Sequence, residues 1–334
     1  MAMAMLLLLL DVRSSGQGIV RPIRAGTRGP SAAAVRQDFP ETTLAEGVGL
    51  DGQQFYAIAR DPWHPRDVAS YLDTPRYRYA RPLLPVLAWL LHPSGGGAGL
   101  VGALVVVDLL GLFAGGAALG SISLRLGGPP WVAGLYPLLP GALWSLMSSV
   151  ADGLAVALSL VVIALVLDGR TRLACCAAVG AVLTRETTIL VPLALVLATR
   201  RRSELPLILA PATALVALLL VTRLVVPADG PPAESLVFPL TGLIDAVRTR
   251  WLHGHELIGM AATLSALTLG GYVLARRRGP VELRWVVAVQ LAFLTLCSGD
   301  ALGNDFGGTR STLPLLSVGA VILASSVPSQ PADG

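Results

Sequence analysis

Gly49-Leu50-Asp51-Gly52-Gln53-Gln54-Phe55-Tyr56 opens a polar and aromatic stretch that ends at Tyr77-Arg78-Tyr79-Ala80-Arg81-Pro82. The long apolar segments of the chain begin directly after it. Asp51 has glycines close by on both sides, so its backbone is free to turn tightly and to let a ligand approach closely. Aspartate is also a preferred residue at a helix start. The alternative interpretation is therefore a capping residue for a helix that begins near Gln53.

The composition is that of a membrane protein. Of the 334 residues, 54% are hydrophobic and 14% are charged, and the mean hydropathy is +0.68, which is too apolar for a soluble domain of this size. A bilayer span needs about 20 mostly apolar residues, and such windows follow one another closely after position 98. We predict an all-α polytopic membrane protein, a single integral membrane domain with about 8–10 membrane helices.

The charged residues exclude two classes of function. All 25 basic residues are arginine, so the chain has no lysine to form a Schiff base or to act as a nucleophile. The arginines cluster between apolar segments, which is typical of membrane topology and not of a basic face that holds nucleic acid. We expect membrane lipids as partners and no nucleic acid. The three cysteines have neither metal-ligand spacing nor an even pairing, and we interpret them as small apolar residues.

Arginine clusters at 170–172, 200–202 and 276–278 predict the cytoplasmic side by the positive-inside rule. Counting crossings from these clusters places residues 11–97, as an external loop and an interfacial helix, on the opposite face together with Asp152. The other external segments would be 227–255 and 299–312. Five arginines before position 40 argue against an external first loop, and the sequence leaves this conflict open.

The membrane segments follow from apolar windows. Residues 1–10 cover about half of the length that a bilayer requires, which favours a short or truncated first span over a signal sequence. Residues 98–328 form the predicted helical bundle. Its spans are predicted at 98–124, 131–150 (interrupted by Pro137 and Pro140), 152–167, 205–226, 257–274, 286–297 and 313–324, with an interfacial helix at 83–91 and an amphipathic surface helix at 240–251.

Two further apolar segments, 173–183 and 187–198, are too short to cross. Each would reach only about 17 Å as a helix. Because arginine clusters flank both outer ends, we predict two half-depth helices that return to the cytoplasmic side and hold Arg185 and Glu186 near the membrane midplane. The alternative is one long helix with a buried ion pair. Ionisable residues at that depth are costly and usually face the protein interior.

The quoted stretch resembles a known family. Asp51-Gly52-Gln53, Ala59-Arg60-Asp61-Pro62, Tyr77-Arg78-Tyr79-Ala80-Arg81-Pro82 and Leu183-Thr184-Arg185-Glu186-Thr187 are similar to the GT-C superfamily of membrane glycosyltransferases that use polyprenyl-phosphate sugars. Within it they resemble bacterial multi-spanning proteins assigned to cell-surface glycopolymer formation. The resemblance covers roughly positions 45–200. It implies a GT-C-like bundle with a long external first loop, multi-pass in the bacterial cytoplasmic membrane.

The resemblance also implies substrates and roles. The donor would be a polyprenyl-phosphate sugar and the acceptor a cell-envelope glycan, lipid or protein. Asp51 matches the first-loop carboxylate that takes the proton of the acceptor hydroxyl or helps to hold a metal, and Asp152 matches a second acid at an external helix end. A divalent metal ion stays open as a cofactor.

Transfer from a lipid phosphate also needs positive charge for the departing phosphate. Arginine binds phosphate through a rigid fork of donors, and the chain offers candidates near the predicted external face. The substrate-binding candidates are Gln53, Tyr56, Arg78, Arg81, Arg185, Glu186 and Arg310. The alternatives for the arginines are contact with lipid headgroups for Arg78 and Arg81 and anchoring of the last span for Arg310.

Two other functions remain open. A glycolipid transporter or flippase would place polar residues along a midplane route with internal repeats, whereas here the polar residues outside the arginine clusters fall on one face. The second open function is that of a non-catalytic protein of cell-envelope assembly. His253-Gly254-His255-Glu256 is only a weak indication of a metal site, and Asp61 before Pro62 is expected to end the helix that follows Asp51.

Overall fold

A computed structural model of the protein describes residues 1–228, 236–254 and 256–325. It is 76% helical, and the described residues contain no strands, which confirms the all-α class. The described residues form seventeen α-helices, α1 to α17 in chain order, which are joined by turns and short 3₁₀ segments. The helices are Ala2–Ser14, Ala32–Asp38, Gly52–Arg60, Pro65–Val68, Pro75–Tyr79, Leu83–Leu91, Ala98–Arg125, Pro140–Ser148, Asp152–Leu167, Thr171–Thr184, Leu190–Thr199, Leu205–Val225, Thr241–Thr249, Leu257–Ala275, Val281–Leu296, Gly299–Gly303 and Asp305–Ser325.

Four helical segments of the described chain are long and apolar enough to cross a membrane. They are Ala98–Arg125, Arg202–Val225, Leu257–Ala275 and Asp305–Ser325, with 28, 24, 19 and 21 residues. Their lengths match the roughly 20 residues of a bilayer span. The molecule is therefore a helical membrane protein, and the total number of passes stays a prediction.

The segment 131–150 is interrupted, as its two prolines predict. It forms two 3₁₀ turns, Pro130–Gly134 and Tyr136–Leu138, and then the short helix α8, which begins at Pro140. Proline lacks the N–H that a helix interior needs, so Pro137 interrupts the helix and Pro140 is accommodated only in a first turn. The interrupted segment still runs the length of the bundle, since Gly128 lies against Ser325 at the end of α17 and Ser148 lies against Gly52 in the first loop.

The break between α10 and α11 is confirmed. Arg185 has an extended backbone (φ −158°, ψ 124°), so a single long helix does not form. Thr171–Thr184 has 14 residues and Leu190–Thr199 has 10, both shorter than a span. Their depth in the membrane stays a prediction.

One end of the bundle gathers the arginine clusters, and we call it the arginine-rich end. Arg125 at the end of α7 pairs with Asp168 after α9, and Gly128 packs against Ser325 at the end of α17. Gly279, which follows α14, packs against Ile322 of α17. The turn before α10 and the ends of α7, α14 and α17 therefore lie together.

The opposite end, which we call the loop end, carries residues 11–97. Asp11 binds Arg21 and Arg24 at 3.0 and 2.9 Å, and Arg24 Nε also donates to the Met147 carbonyl at 3.0 Å. These arginines cross-link the loop to α1 and α8. Arg21 and Arg24 thus have a structural role, and they argue less strongly against an external first loop.

The chain from 299 to 312 is a correction. It was expected to be a loop, but it forms α16 and the first turns of α17, which begins at Asp305. Its glycines have low helix propensity, yet Gly308 packs directly on Gly259 of α14, where a side chain would collide. Arg310 consequently projects from a rigid helix. The predicted loop at 227–238 lies partly outside the described residues, as does the end of the predicted bundle at 328.

Candidate functional site

Asp51 occupies the position before α3, but it does not cap that helix. Its side chain accepts no capping hydrogen bond and turns instead to two arginines. Oδ1 lies 3.0 Å from Arg78 Nη1, and Oδ2 lies 3.4 Å from Arg310 Nη2. The alternative of a capping aspartate is therefore not what the structure contains.

Two features fix the position of Asp51. Gly52 lies against the Ser148 carbonyl of α8, so closely that a Cβ there would overlap it. Phe55 is fully buried on α3, in the same hydrophobic cluster as Leu100 and Leu104 of α7. The turn that carries the carboxylate is therefore held between α7 and α8.

Asp152 begins α9 and is 2% exposed. It forms ion pairs with Arg185, at the break before α11, and with Arg310 on α17. A buried carboxylate is stable only when it is paired and hydrogen-bonded. Asp152 therefore depends on two arginines from distant parts of the chain.

Arg310 joins the two carboxylates. Its Nη2 atom is within ion-pair distance of both Asp51 and Asp152, and its guanidinium lies 4.0 Å from the centre of the Phe306 ring one turn earlier. A cation over an aromatic face is attracted by the ring quadrupole. The ring thus orients the guanidinium between the two acids.

A second group of contacts links the loop to the α10–α11 break. Arg81 binds Glu186 in a two-pronged pair, with Nε–Oε2 at 2.9 Å and Nη2–Oε1 at 2.7 Å. The Tyr77 ring lies 4.1 Å from its guanidinium. Bidentate pairs of this kind are strong and geometrically specific, so this pair fixes Glu186 beside the first loop.

Asp73 holds Arg78 from the side opposite Asp51. Arg78 donates to both oxygens of Asp73 at 2.9 and 2.7 Å, and Gln54 donates to one of them at 2.9 Å. Burial raises the pKa of Asp73, but the hydrogen bonds and charge of Arg78 outweigh it and hold that pKa well below its usual range. Asp73 is therefore ionised and orients Arg78.

Eight side chains make up two adjoining groups, a chain of six joined by ion pairs and the separate Arg81–Glu186 pair, which together we call the ionic network. It contains four carboxylates and four guanidinium groups, so its formal charge is zero. The members are Asp51, Asp73, Asp152, Glu186, Arg78, Arg81, Arg185 and Arg310.

Asp51 and Asp152, the two acids that contact Arg310, differ in exposure. The side chain of Asp51 is 22% exposed and that of Asp152 is 3% exposed. Burial alone would raise the pKa of Asp51, but Arg310, Arg78 and Arg81 together hold it below its usual range. The carboxylate is ionised at neutral pH, and its proton affinity depends on the distance between the arginines and Asp51.

A small cavity lies beside the network, with a volume of about 30 Å³. Asp152, Arg185 and Arg310 form its polar wall, and Phe293 and Val156 belong to its apolar wall. This is room for water but not for a sugar, since ligand sites usually measure about 300 Å³ or more. In this arrangement the ionic network is therefore closed to a sugar.

The structure brings together seven of the nine residues selected from the sequence and places the other two elsewhere. Gln53 Nε2 donates to the carbonyls of Val48 and Leu50 at 2.7 and 3.2 Å. The Tyr56 hydroxyl binds Asp38 and accepts from the Gly97 N–H at 2.6 Å. Both residues hold the first loop in shape, and neither reaches the network.

The described side chains do not form a complete metal site by themselves. No group of three His, Cys, Asp or Glu side chains that could hold a metal occurs in the described ranges. The guanidinium of Arg310 occupies the position between Asp51 and Asp152 where a shared cation would bind. His255 of the His253–Glu256 run lies outside the described residues.

Sequence reasoning missed Asp73 and Asp108. Asp73 precedes Thr74 and Pro75, and an acid in such a position carries no local signal of a functional role. Asp108 is 3% exposed within α7, and a lone acid inside a long apolar span is a signal that could have marked it. It is not a member of the network.

Comparison with known proteins gives no match to this chain, neither a family model, nor a curated protein, nor a solved structure.

Proposed function

We propose that the protein is a membrane glycosyltransferase of the bacterial cytoplasmic membrane. It moves a sugar from a polyprenyl-phosphate donor to a cell-envelope glycan, lipid or protein on the external face. The observation that carries this proposal is the convergence of Asp51 and Asp152 on Arg310 at the loop end of the bundle. Acids for proton transfer and arginines for phosphate are the groups that such a transfer requires.

Asp51 is the general base of the proposed reaction. It is ionised, it is the more exposed of the two acids that contact Arg310, and it lies on the first loop where an acceptor can approach. Asp152 has almost no exposed surface, and its role is to hold Arg185 and Arg310. The reactive proton therefore passes from the acceptor hydroxyl to Asp51.

Charge conservation supports this assignment. The network is neutral, and a polyprenyl-phosphate sugar brings one negative charge as a phosphodiester. Transfer breaks the bond between the sugar and the phosphate oxygen, forms a bond from the sugar to the acceptor oxygen, and leaves a phosphate with a second negative charge. The proton that Asp51 takes gives the network one positive charge beside that phosphate.

Donor binding must change the pairing of the arginines. Arg78 and Arg310 both contact Asp51, and a phosphate that attracts either of them loosens its hold on the carboxylate. The pKa of Asp51 then rises, and the carboxylate becomes a stronger base only when donor is present. The small volume of the cavity fits a site that opens on binding.

The direct test uses the purified protein in vesicles with radiolabelled polyprenyl-phosphate sugars and envelope acceptors. Label in an acceptor, dependent on the protein, is the expected result. Movement of labelled lipid between the leaflets without transfer would replace the proposal with a flippase.

Topology gives an independent prediction. In a cysteine-free background, Val48→Cys and Phe238→Cys should react with an impermeant maleimide outside the cell, because both side chains are exposed (61% and 79%) at the loop end. Arg201→Cys and Arg276→Cys, at the arginine-rich end, should react only after the membrane is opened. Labelling in the opposite pattern would place the ionic network on the cytoplasmic side and contradict an external reaction.

The pH profile should separate the free and the donor-bound protein. The pKa of free Asp51 is lowered, so the ionised base persists as pH falls, and kcat/KM should decline only below about pH 4. The fall in kcat should occur at higher pH, because the bound phosphate shares the arginines. Circular dichroism at each pH controls for unfolding. A decline of kcat/KM between pH 6 and 7 would indicate a different base.

A further inference from the structure

Two neighbouring grooves at the arginine-rich end share Trp285 as a wall. The first, of about 280 Å³, is lined by Arg200, Arg201, Arg202 and Leu205 with further apolar residues of α11. It lies where the chain passes from α11 to α12. It therefore combines charge with an apolar surface.

The second groove, of about 340 Å³, also has Trp285 in its wall. Arg277 and Arg284 provide its charge, and Leu274 and Val281 belong to its apolar wall. It lies between the end of α14 and the start of α15. The two grooves thus share one indole and have a similar composition.

The arginines of these grooves lack acidic partners. None of the five forms an ion pair within the described part of the chain, whereas every arginine of the ionic network does. The neighbouring acids in sequence are Glu204 and Glu282, so five positive charges face two negative ones. The grooves therefore have a surplus of positive charge.

Two of these arginines adopt a backbone that disfavours them. Arg200 has φ +52° and Arg277 has φ +50°, in the left-handed region where glycine is the usual residue. One lies in each groove. A charged side chain that binds a ligand would account for arginine, in place of glycine, at both strained positions.

Two helix starts add to the attraction for anions. α12 begins at Leu205 in the first groove, and α15 begins at Val281 in the second. The unpaired N–H groups of a helix start favour negative charge. Only 17% of the apolar window in Arg202–Val225 is buried, so an open apolar surface continues from the first groove along α12.

We propose that the two grooves together bind one anionic phospholipid that carries two phosphates, one in each groove. Its acyl chains lie along the exposed side of α12, and the Trp285 indole packs between the two headgroup halves, as indoles do at membrane interfaces. Basic pockets between membrane helices bind such headgroups. The grooves lie at the opposite end from the ionic network, so this site stands apart from sugar transfer.

The test measures binding of tetraoleoyl cardiolipin to the detergent-solubilised full chain by native mass spectrometry. Arg200→Gly/Arg277→Gly should weaken binding about 25-fold, at about fivefold for each arginine lost. The melting temperature of this variant should not fall, because glycine suits a positive φ. Loss of affinity without loss of stability separates a binding role from a structural one.

Arg170→Gln/Arg172→Gln is the matched control. Both arginines are exposed at the same end but outside the grooves, so their loss should change affinity less than twofold. Equal weakening in both variants, or none in the first, would overturn the site. Equally tight binding of phosphatidylglycerol would remove the two-phosphate requirement, and displacement of cardiolipin by millimolar inorganic phosphate would assign the grooves to free phosphate.

Discussion

Asp51→Asn should slow sugar transfer by about 100-fold or more, the usual scale for loss of a general base. Asparagine keeps the size of the side chain but cannot take a proton. Donor binding should change little, because Arg78, Arg81 and Arg310 remain. The measurement is the initial rate of label transfer in vesicles at saturating donor, together with the donor Kd.

Two variants calibrate this result. Asp152→Asn should also reduce transfer strongly, because Arg185 and Arg310 lose the acid that holds them. Asp61→Asn should leave the rate near that of the unchanged protein, since Asp61 ends α3 and pairs with the exposed His64, away from the ionic network. Near-normal transfer by Asp51→Asn would remove the base assignment and most of the reason to regard the protein as an enzyme.

Arg310→Gln should abolish detectable transfer and destabilise the fold. The guanidinium is buried between two carboxylates, and its removal leaves their negative charges facing each other. Loss of one partner from a buried ion pair costs about 3–5 kcal/mol. The measurements are transfer rate and the free energy of unfolding in detergent micelles.

A double variant separates the two effects of Arg310. Arg310→Gln/Asp152→Asn removes one positive and one negative charge, so it should recover much of the stability while transfer remains absent. Arg250→Gln breaks an exposed pair with Asp300 and should change the free energy of unfolding by no more than about 1 kcal/mol. If the double variant regained activity together with stability, Arg310 would be a structural residue only.

The sequence by itself determined the class of the molecule and most of its helices. The apolar windows predicted Leu83–Leu91 and Asp152–Leu167 with the bounds that the structure has, and the charges at Arg185-Glu186 predicted the break between two short helices. These features depend on hydrophobicity and on neighbours along the chain. Local information is sufficient for them.

The tertiary structure alone decided the segments where local signals conflict. Proline and apolar residues compete at 131–150, and two 3₁₀ turns followed by the short helix α8 resolve that competition. Gly307 and Gly308 indicate a loop, but Gly307 packs closely on α16 and Gly308 on Gly259 of α14, and both are helical. Packing between distant elements overrides propensity, and no window of the sequence contains it.

The partners of the charged side chains were likewise decided by the tertiary structure. The sequence predicts a reactive acid at Asp51, with a helix cap as the alternative, and a ligand for phosphate at Arg310, with an anchor as the alternative. Three-dimensional proximity places them together with Asp152 and excludes the cap, whereas Gln53 and Tyr56, from the same motif, turn to the loop. The sequence names the charges, but their pairing is set by contacts between residues far apart in the chain, because a buried charge is stable only beside its partner.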